Sequence, residues 1–204
     1  MRTRTTLTLA LAVLALGTAA NAAIIDNPNF VNGDFESGGT GWTVTNNKGT
    51  GVDFDPGVAQ SGTKSARFLG NFTNNGPTIA QTVTIPTNGI GQEHTISFWY
   101  RQFSTTTSDW TRWRLRVLDG GTTELVNTGD QNTIGNDGVW EQESYNFTPS
   151  ASTIEIEFKD TQQWPGNDRD LVVDNVQLTY VPEPATLALL GVGGLAAWVR
   201  RRRA

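Results

Sequence analysis

Hydrophobic and polar residues alternate along most of this chain with a period of two. Thr95 to Phe103 (TISFWYRQF) sets Ile96, Phe98 and Tyr100 on one face and Ser97, Trp99 and Arg101 on the other. Arg112 to Leu118 (RWRLRVL) sets Trp113, Leu115 and Val117 against Arg112, Arg114 and Arg116. Thr153 to Lys159 places Ile154, Ile156 and Phe158 inward and Glu155, Glu157 and Lys159 outward, and Ile79 to Ile85 aligns Ile79, Gln81, Val83 and Ile85. Side chains of a strand point alternately to its two faces, so each segment predicts a half-buried strand. Shorter strands are expected at Trp42–Thr45, Val52–Phe54 and Ser65–Leu69, and a last one at Leu171–Tyr180. Another starts at Trp140 and holds Tyr145 and Phe147. Asp119-Gly120-Gly121 reads as a hairpin turn into Thr123–Asn127. Turns are expected at Gln60–Thr63 and Pro149–Ser152, and polar loops at NTGDQNTIGNDG and TQQWPGNDRD. Alternation broken by turns at intervals of roughly eight to twelve residues predicts an all-β fold, an antiparallel β-sandwich.

The two ends do not alternate. Arg2 and Arg4 precede an apolar run, Leu7 to Leu16, and Ala20-Asn21-Ala22 supplies a small-x-small site. This order predicts a signal peptide over residues 1–22, cut after Ala22. At the other end, Val181-Pro182-Glu183-Pro184 leads into an apolar run from Ala185 to Val199 and then Arg200, Arg201, Arg202 and Arg203. As a helix that run would be ~22 Å long, short against a hydrocarbon core of ~30 Å. Snorkelling arginines and local thinning can close the difference, and arginine clusters stay on the cytoplasmic side. The prolines flanking Glu183 hold the backbone extended. An extended segment beside a weak anchor suits a processing protease.

These residues resemble the PEP-CTERM sorting signal of Gram-negative bacteria. The resemblance implies recognition and cleavage by an exosortase, so that the membrane holds the chain only transiently, through the C-terminal helix. It implies an exported protein of the cell surface or extracellular matrix, associated with exopolysaccharide or biofilm. The organisation expected is a signal peptide at 1–22, a β-sandwich at 23–180 and the sorting signal at 181–204.

Charge then narrows the partners. Of 15 basic and 20 acidic residues, removal of Arg2, Arg4, the four tail arginines and Glu183 leaves nine basic and nineteen acidic, a net charge of −10. Such a domain is repelled by nucleic acid and anionic membranes. The absence of cysteine rules out thiol chemistry and Cys-ligated zinc.

Three local features resemble the galactose-binding-like jelly roll of many bacterial carbohydrate-binding modules. The domain opens with Asn32-Gly33-Asp34-Phe35-Glu36-Ser37-Gly38 followed by Trp42, carries a Ser61-Gly62-Thr63-Lys64-Ser65 turn before a strand, and closes with Val173-Asp174-Asn175-Val176-Gln177-Leu178. The resemblance implies a structural calcium joining the first and last strands. Its ligands would be Glu36, the backbone of Asp34 and Lys64, and Asp174. Calcium takes six to eight oxygens, and Ser61 stands where the family can supply a further acid.

A sugar-binding face needs an exposed aromatic ring among hydrogen-bonding side chains. The outward set Trp99, Arg101, Arg112, Arg114 and Arg116 meets that need, with Trp110 and Trp164 in polar loops as a rim, and its cations favour an acidic polysaccharide. The competing expectation is that the arginines pair across strands with Glu155 and Glu157. Catalysis is not expected. His94, the single histidine, reads as a surface or edge residue beside Glu93. No nucleophile elbow or HExxH is present, and the pairs Glu141/Glu143 and Glu155/Glu157 would be solvated on an open face. The reading is a non-catalytic polysaccharide-binding module. The alternative is a purely structural matrix protein, and a glycoside-active enzyme is the remote one.

Overall fold

The computed structural model describes residues 24–46, 51–69, 76–103, 110–134, 138–161 and 170–182. Twelve strands form among them: β1 (Ile25–Asp26), β2 (Thr43–Thr45), β3 (Gly51–Asp53), β4 (Ala66–Leu69), β5 (Thr78–Thr84), β6 (His94–Phe103), β7 (Trp110–Asp119), β8 (Thr123–Asn127), β9 (Gln131–Ile134), β10 (Glu141–Phe147), β11 (Thr153–Asp160) and β12 (Asp170–Tyr180). They make two antiparallel sheets. The first runs β10-β6-β12-β4-β3 with β1 added beside β12, and the second runs β2-β5-β11-β7-β8 with β9 added beside β7.

The alternation read from the sequence builds the core directly. The inward rows Ile96, Phe98 and Tyr100 of β6 and Leu171, Val173 and Leu178 of β12 meet Trp113, Leu115 and Val117 of β7 and Ile154, Ile156 and Phe158 of β11. Phe98 sits at the centre, edge-on to Phe158 at 4.9 Å and to Trp113 at 5.5 Å between ring centroids. Gln81, the polar member of its row, is buried because both ends of its amide bond the Val31 backbone, at 3.0 Å each. That exchange ties the opening segment to β5 and satisfies a group that would otherwise be costly inside.

Two strands escape the sequence pattern. β1 is two residues long, too short to alternate, and forms by pairing Ile25 with Tyr180 and Asp26 with Thr179. β9 lies inside the segment expected to be a loop. It is polar, and it exists because the bulged hairpin partner β8 leaves the first half of β7 free to pair with Gln131–Ile134.

A bulge interrupts β12 between Asp174 and Gln177 where it runs beside β6. There Asn175 takes φ 47° and the Val176 amide turns away to bond the Gly33 carbonyl at 2.9 Å. Gly33 passes so close that a Cβ would stand 2.0 Å from the Val176 carbonyl oxygen. The opening NGDFE stretch therefore docks on the bulge of the closing strand, and only glycine permits the approach.

Candidate functional site

The two halves of the expected binding face do not meet. Trp99 and Arg101 stand on β6, in the first sheet, and Arg112, Arg114 and Arg116 on β7, in the second. The inward rings of β6 and β7 pack against each other, so the outward side chains point away from opposite sides of the sandwich. Two arginines of the row are also ion-paired. Arg116 reaches Glu124 at 2.9 Å and Glu157 at 3.5 Å, Arg114 lies 4.0 Å from Glu157, and Arg112 donates to the side-chain oxygen of Asn132, Oδ1, at 3.0 Å. Of the two glutamates expected to pair with the row, Glu157 does, and Glu124 of the adjacent β8 joins it. The side chain of Trp110 and the whole of Trp164 lie outside the described residues, as do Glu183, Pro184, Arg200, Arg201, Arg202 and Arg203. Pro182, half-buried, is described.

Trp99 keeps the surroundings a sugar face needs. Its ring is half-buried on the outer face of the first sheet. It lies opposite Gln142 of β10 on one side and Asp174 of β12 on the other, and Ser97, the next outward residue of β6, lies opposite Ser144 and Gln177. Arg101 has no carboxylate partner among the described residues. Its guanidinium lies 5.6 Å from the Trp140 ring centroid, and burial draws its pKa down. Nearby, Arg67 stacks on Phe103 at 3.7 Å and is ion-paired with Asp170 at 2.5 Å.

The residues expected to hold calcium make a different arrangement. Glu36 Oε1 accepts the Thr63 and Lys64 backbone N–H groups at 2.8 Å each, and Oε2 accepts the Thr63 hydroxyl at 2.9 Å. These bonds, led by the Lys64 N–H, hold its pKa below the usual carboxylate range. Asp174 is fully buried. Its Oδ2 accepts Gln60 N–H at 2.7 Å and Ser61 N–H at 3.2 Å, and its Oδ1 accepts Asn175 N–H at 2.7 Å. Burial outweighs these bonds and pushes its pKa up. Asp34 is exposed, and its carboxylate accepts the Glu36 N–H at 3.4 Å. Five backbone N–H groups thus occupy the two carboxylates, and no group of three or more His, Cys, Asp or Glu suited to a metal occurs among the described residues. These donors satisfy the two carboxylates as they stand, and a calcium shell of six to eight oxygens would need the turn's carbonyls as well. Glu36 and Asp174 instead clamp the Gln60–Lys64 turn.

The carboxylate pairs considered for acid–base work are engaged otherwise. Glu141 faces the sandwich edge and accepts the Tyr100 hydroxyl at 2.6 Å. Burial first, then that bond, pushes the Tyr100 hydroxyl far above its ordinary pKa. Glu157 belongs to the arginine ladder. His94 is fully buried, contrary to the surface position expected of it, because its strand end is covered by Phe147 and Tyr180. The Tyr100–Glu141 contact went unread because it joins residues 41 positions apart on strands whose pairing the pattern does not specify.

No curated protein matches the chain in sequence. Among solved structures, the CBM22-1 xylan-binding domain of Paenibacillus barcinonensis Xyn10C is 16% identical with a TM-score of 0.52, covering 74% of this chain and 93% of that one. The C-terminal family 22 carbohydrate-binding module of Clostridium thermocellum Xyn10B is 12% identical with a TM-score of 0.52, covering 80% and 96%. The K3 cleaved adhesin domain of Lys-gingipain from Porphyromonas gingivalis is 12% identical with a TM-score of 0.56, covering 77% and 99%. At such identities the likeness is one of fold. Residues 181–203 match the PEP-CTERM protein-sorting motif, which indicates an exported protein. The chain therefore carries a PEP-CTERM sorting motif behind a β-sandwich similar in fold to carbohydrate-binding modules.

Proposed function

We propose that this is an exported, non-catalytic polysaccharide-binding module, released by an exosortase and retained on exopolysaccharide at the cell surface or in the matrix. The observation that carries the reading is Trp99, a half-exposed indole set among the polar, hydrogen-bonding neighbours Ser97, Gln142, Ser144 and Gln177, with Arg101, which has no carboxylate partner among the described residues, beside it. An indole in such a setting stacks on the CH face of a sugar ring while the amides and hydroxyls bond its OH groups. The fold likeness to carbohydrate-binding modules is consistent with this use of the sheet, although fold alone assigns no ligand. In this reading residues 1–22 direct export, Pro182-Glu183-Pro184 presents the cleavage site, and the segment up to Arg203 anchors the chain only until it is cut.

The test is affinity electrophoresis of the full chain in detergent through gels containing polysaccharide. Trp99→Ala abolishes retardation and Arg101→Ala weakens it, whereas Arg114→Ala, on the opposite face, has no effect. Equal retardation of wild type and Trp99→Ala overturns the assignment. The second reading, a structural matrix protein without a small ligand, is favoured by the ladder of Arg114, Arg116, Glu124 and Glu157, which leaves one face of the sandwich charge-compensated. It predicts no retardation in any gel.

A further inference from the structure

The outer face of the first sheet does not stop at Trp99. Following the register from β6, Ser97 lies opposite Gln177 of β12, Thr95 opposite Thr179, and Thr179 opposite Asp26 of β1. At that end the β12 bulge opens a cavity of about 500 Å³, lined by Asp26, Asn27, Phe30, Gly33, Val176, Gln177 and Leu178. Its chemistry is that of a hydroxyl-binding subsite. Asp26 and Gln177 are exposed, and among the described residues neither the Asp26 carboxylate has an ion-pair partner nor the Gln177 amide a hydrogen-bond partner. Asn27 is 3% exposed. Its side-chain oxygen accepts the Asn29 N–H at 3.0 Å, while its Nδ2 is buried and has no acceptor among the described residues. A buried amide donor left unpaired is costly, and its presence at a cavity wall points to an acceptor brought by a ligand. Phe30, half-buried and edge-on to Trp42 at 5.9 Å, supplies an apolar wall.

We propose that this cavity is a second subsite of the glycan face, taking an uncharged sugar residue of the same chain that stacks on Trp99. The inference rests on the polysaccharide-binding reading and narrows it. Asp26 would accept hydrogen bonds from sugar hydroxyls and repel a uronic acid, Asn27 Nδ2 would donate to a ring or hydroxyl oxygen, and the Gln177 amide would both donate and accept. Of the arginines that favoured an acidic ligand, Arg114 and Arg116 lie across the sandwich and are paired with Glu124 and Glu157. From Trp99 to Asp26 is about 10 Å across two strand spacings and about 14 Å along the strand, so the ligand is an oligosaccharide rather than a single sugar.

The experiment is titration calorimetry of the full chain in detergent with xylo-, cello- and mannohexaose, the matching trisaccharides, and hexagalacturonate. Wild type binds a neutral hexasaccharide at least about 10-fold more tightly than its trisaccharide, and hexagalacturonate more weakly than either. Asp26→Ala, at an exposed position whose loss leaves the fold intact, lowers hexasaccharide affinity by about 10-fold and leaves trisaccharide affinity unchanged. If Trp99→Ala abolishes binding but Asp26→Ala does not alter it, the subsite falls and the Trp99 reading stands. Preference for hexagalacturonate overturns the uncharged ligand. If wild type binds none of the probes, both proposals fall.

Discussion

His94 holds the clearest link between a single side chain and the state of the whole domain. Its ring is stacked between Phe147 and Tyr180, with centroids 5.6 and 5.1 Å away, and its Nδ1 lies 3.1 Å from the Gln92 carbonyl. A carbonyl only accepts, so Nδ1 carries the hydrogen and Nε2, buried without a partner among the described residues, is bare. A second proton would place an unpaired charge in the core. Burial accordingly lowers the pKa, with the Gln92 carbonyl opposing in part. In the unfolded chain the group titrates near its ordinary value of about 6.5. Below that pH the unfolded chain binds the extra proton, so the stability due to neutral His94 is complete above about 6.5 and is lost as pH falls toward the folded pKa. The melting temperature is expected to drop between pH 7 and pH 5 in wild type and to drop less in His94→Phe, which keeps the stack. Scanning calorimetry across that range decides it. Equal slopes would show that the acid loss arises elsewhere. The burial was hidden because a histidine opening a strand beside Glu93 carries no mark of what covers it.

Among the elements, the strands and their faces could be read from alternation, and the sheets they join could not. Period two assigns Trp99 and Arg114 to the outward side of their own strands, correctly in both cases. It does not say whether β6 and β7 lie side by side or across the core, and here they lie across it. The expected face therefore divides into a tryptophan surface and an arginine–glutamate ladder. Likewise the opening and closing motifs do approach each other, as their resemblance to the jelly-roll family implied, yet through backbone amides. Asp174→Ala removes the acceptor for three N–H groups and is expected to cost roughly 3 kcal/mol, at about 1 kcal/mol for each bond, measurable by denaturant unfolding. Calcium and a chelator are expected to give the same melting temperature. A calcium-dependent rise would mean that the Gln60–Lys64 turn rearranges to present its carbonyls.

For the molecule as a whole, the sorting motif begins where the sandwich ends. The last rung of β12 is at Tyr180, and the next residue, Val181, donates its N–H to the Glu93 carbonyl at 3.2 Å. The motif's first residue is thus part of the fold. Replacing Pro182, Glu183 and Pro184 by alanine is expected to keep the chain at the mass it has before C-terminal trimming and in the membrane fraction, while leaving the melting transition within a few degrees of wild type. Intact-mass measurement after fractionation checks it, and unaltered shortening would exclude this motif as the processing signal.

The same junction decides how the domain bears a load applied at its C-terminal end. β12 is an interior strand, paired with β6 along one side and with β4 and then β1 along the other. A pull entering at Tyr180 runs along this strand's axis and loads the rungs on both sides together, in shear. A pull at Ile25 meets two rungs, Ile25–Tyr180 and Asp26–Thr179, and detaches them first. Tension entering at Tyr180 therefore acts on the most firmly gripped strand of the sandwich.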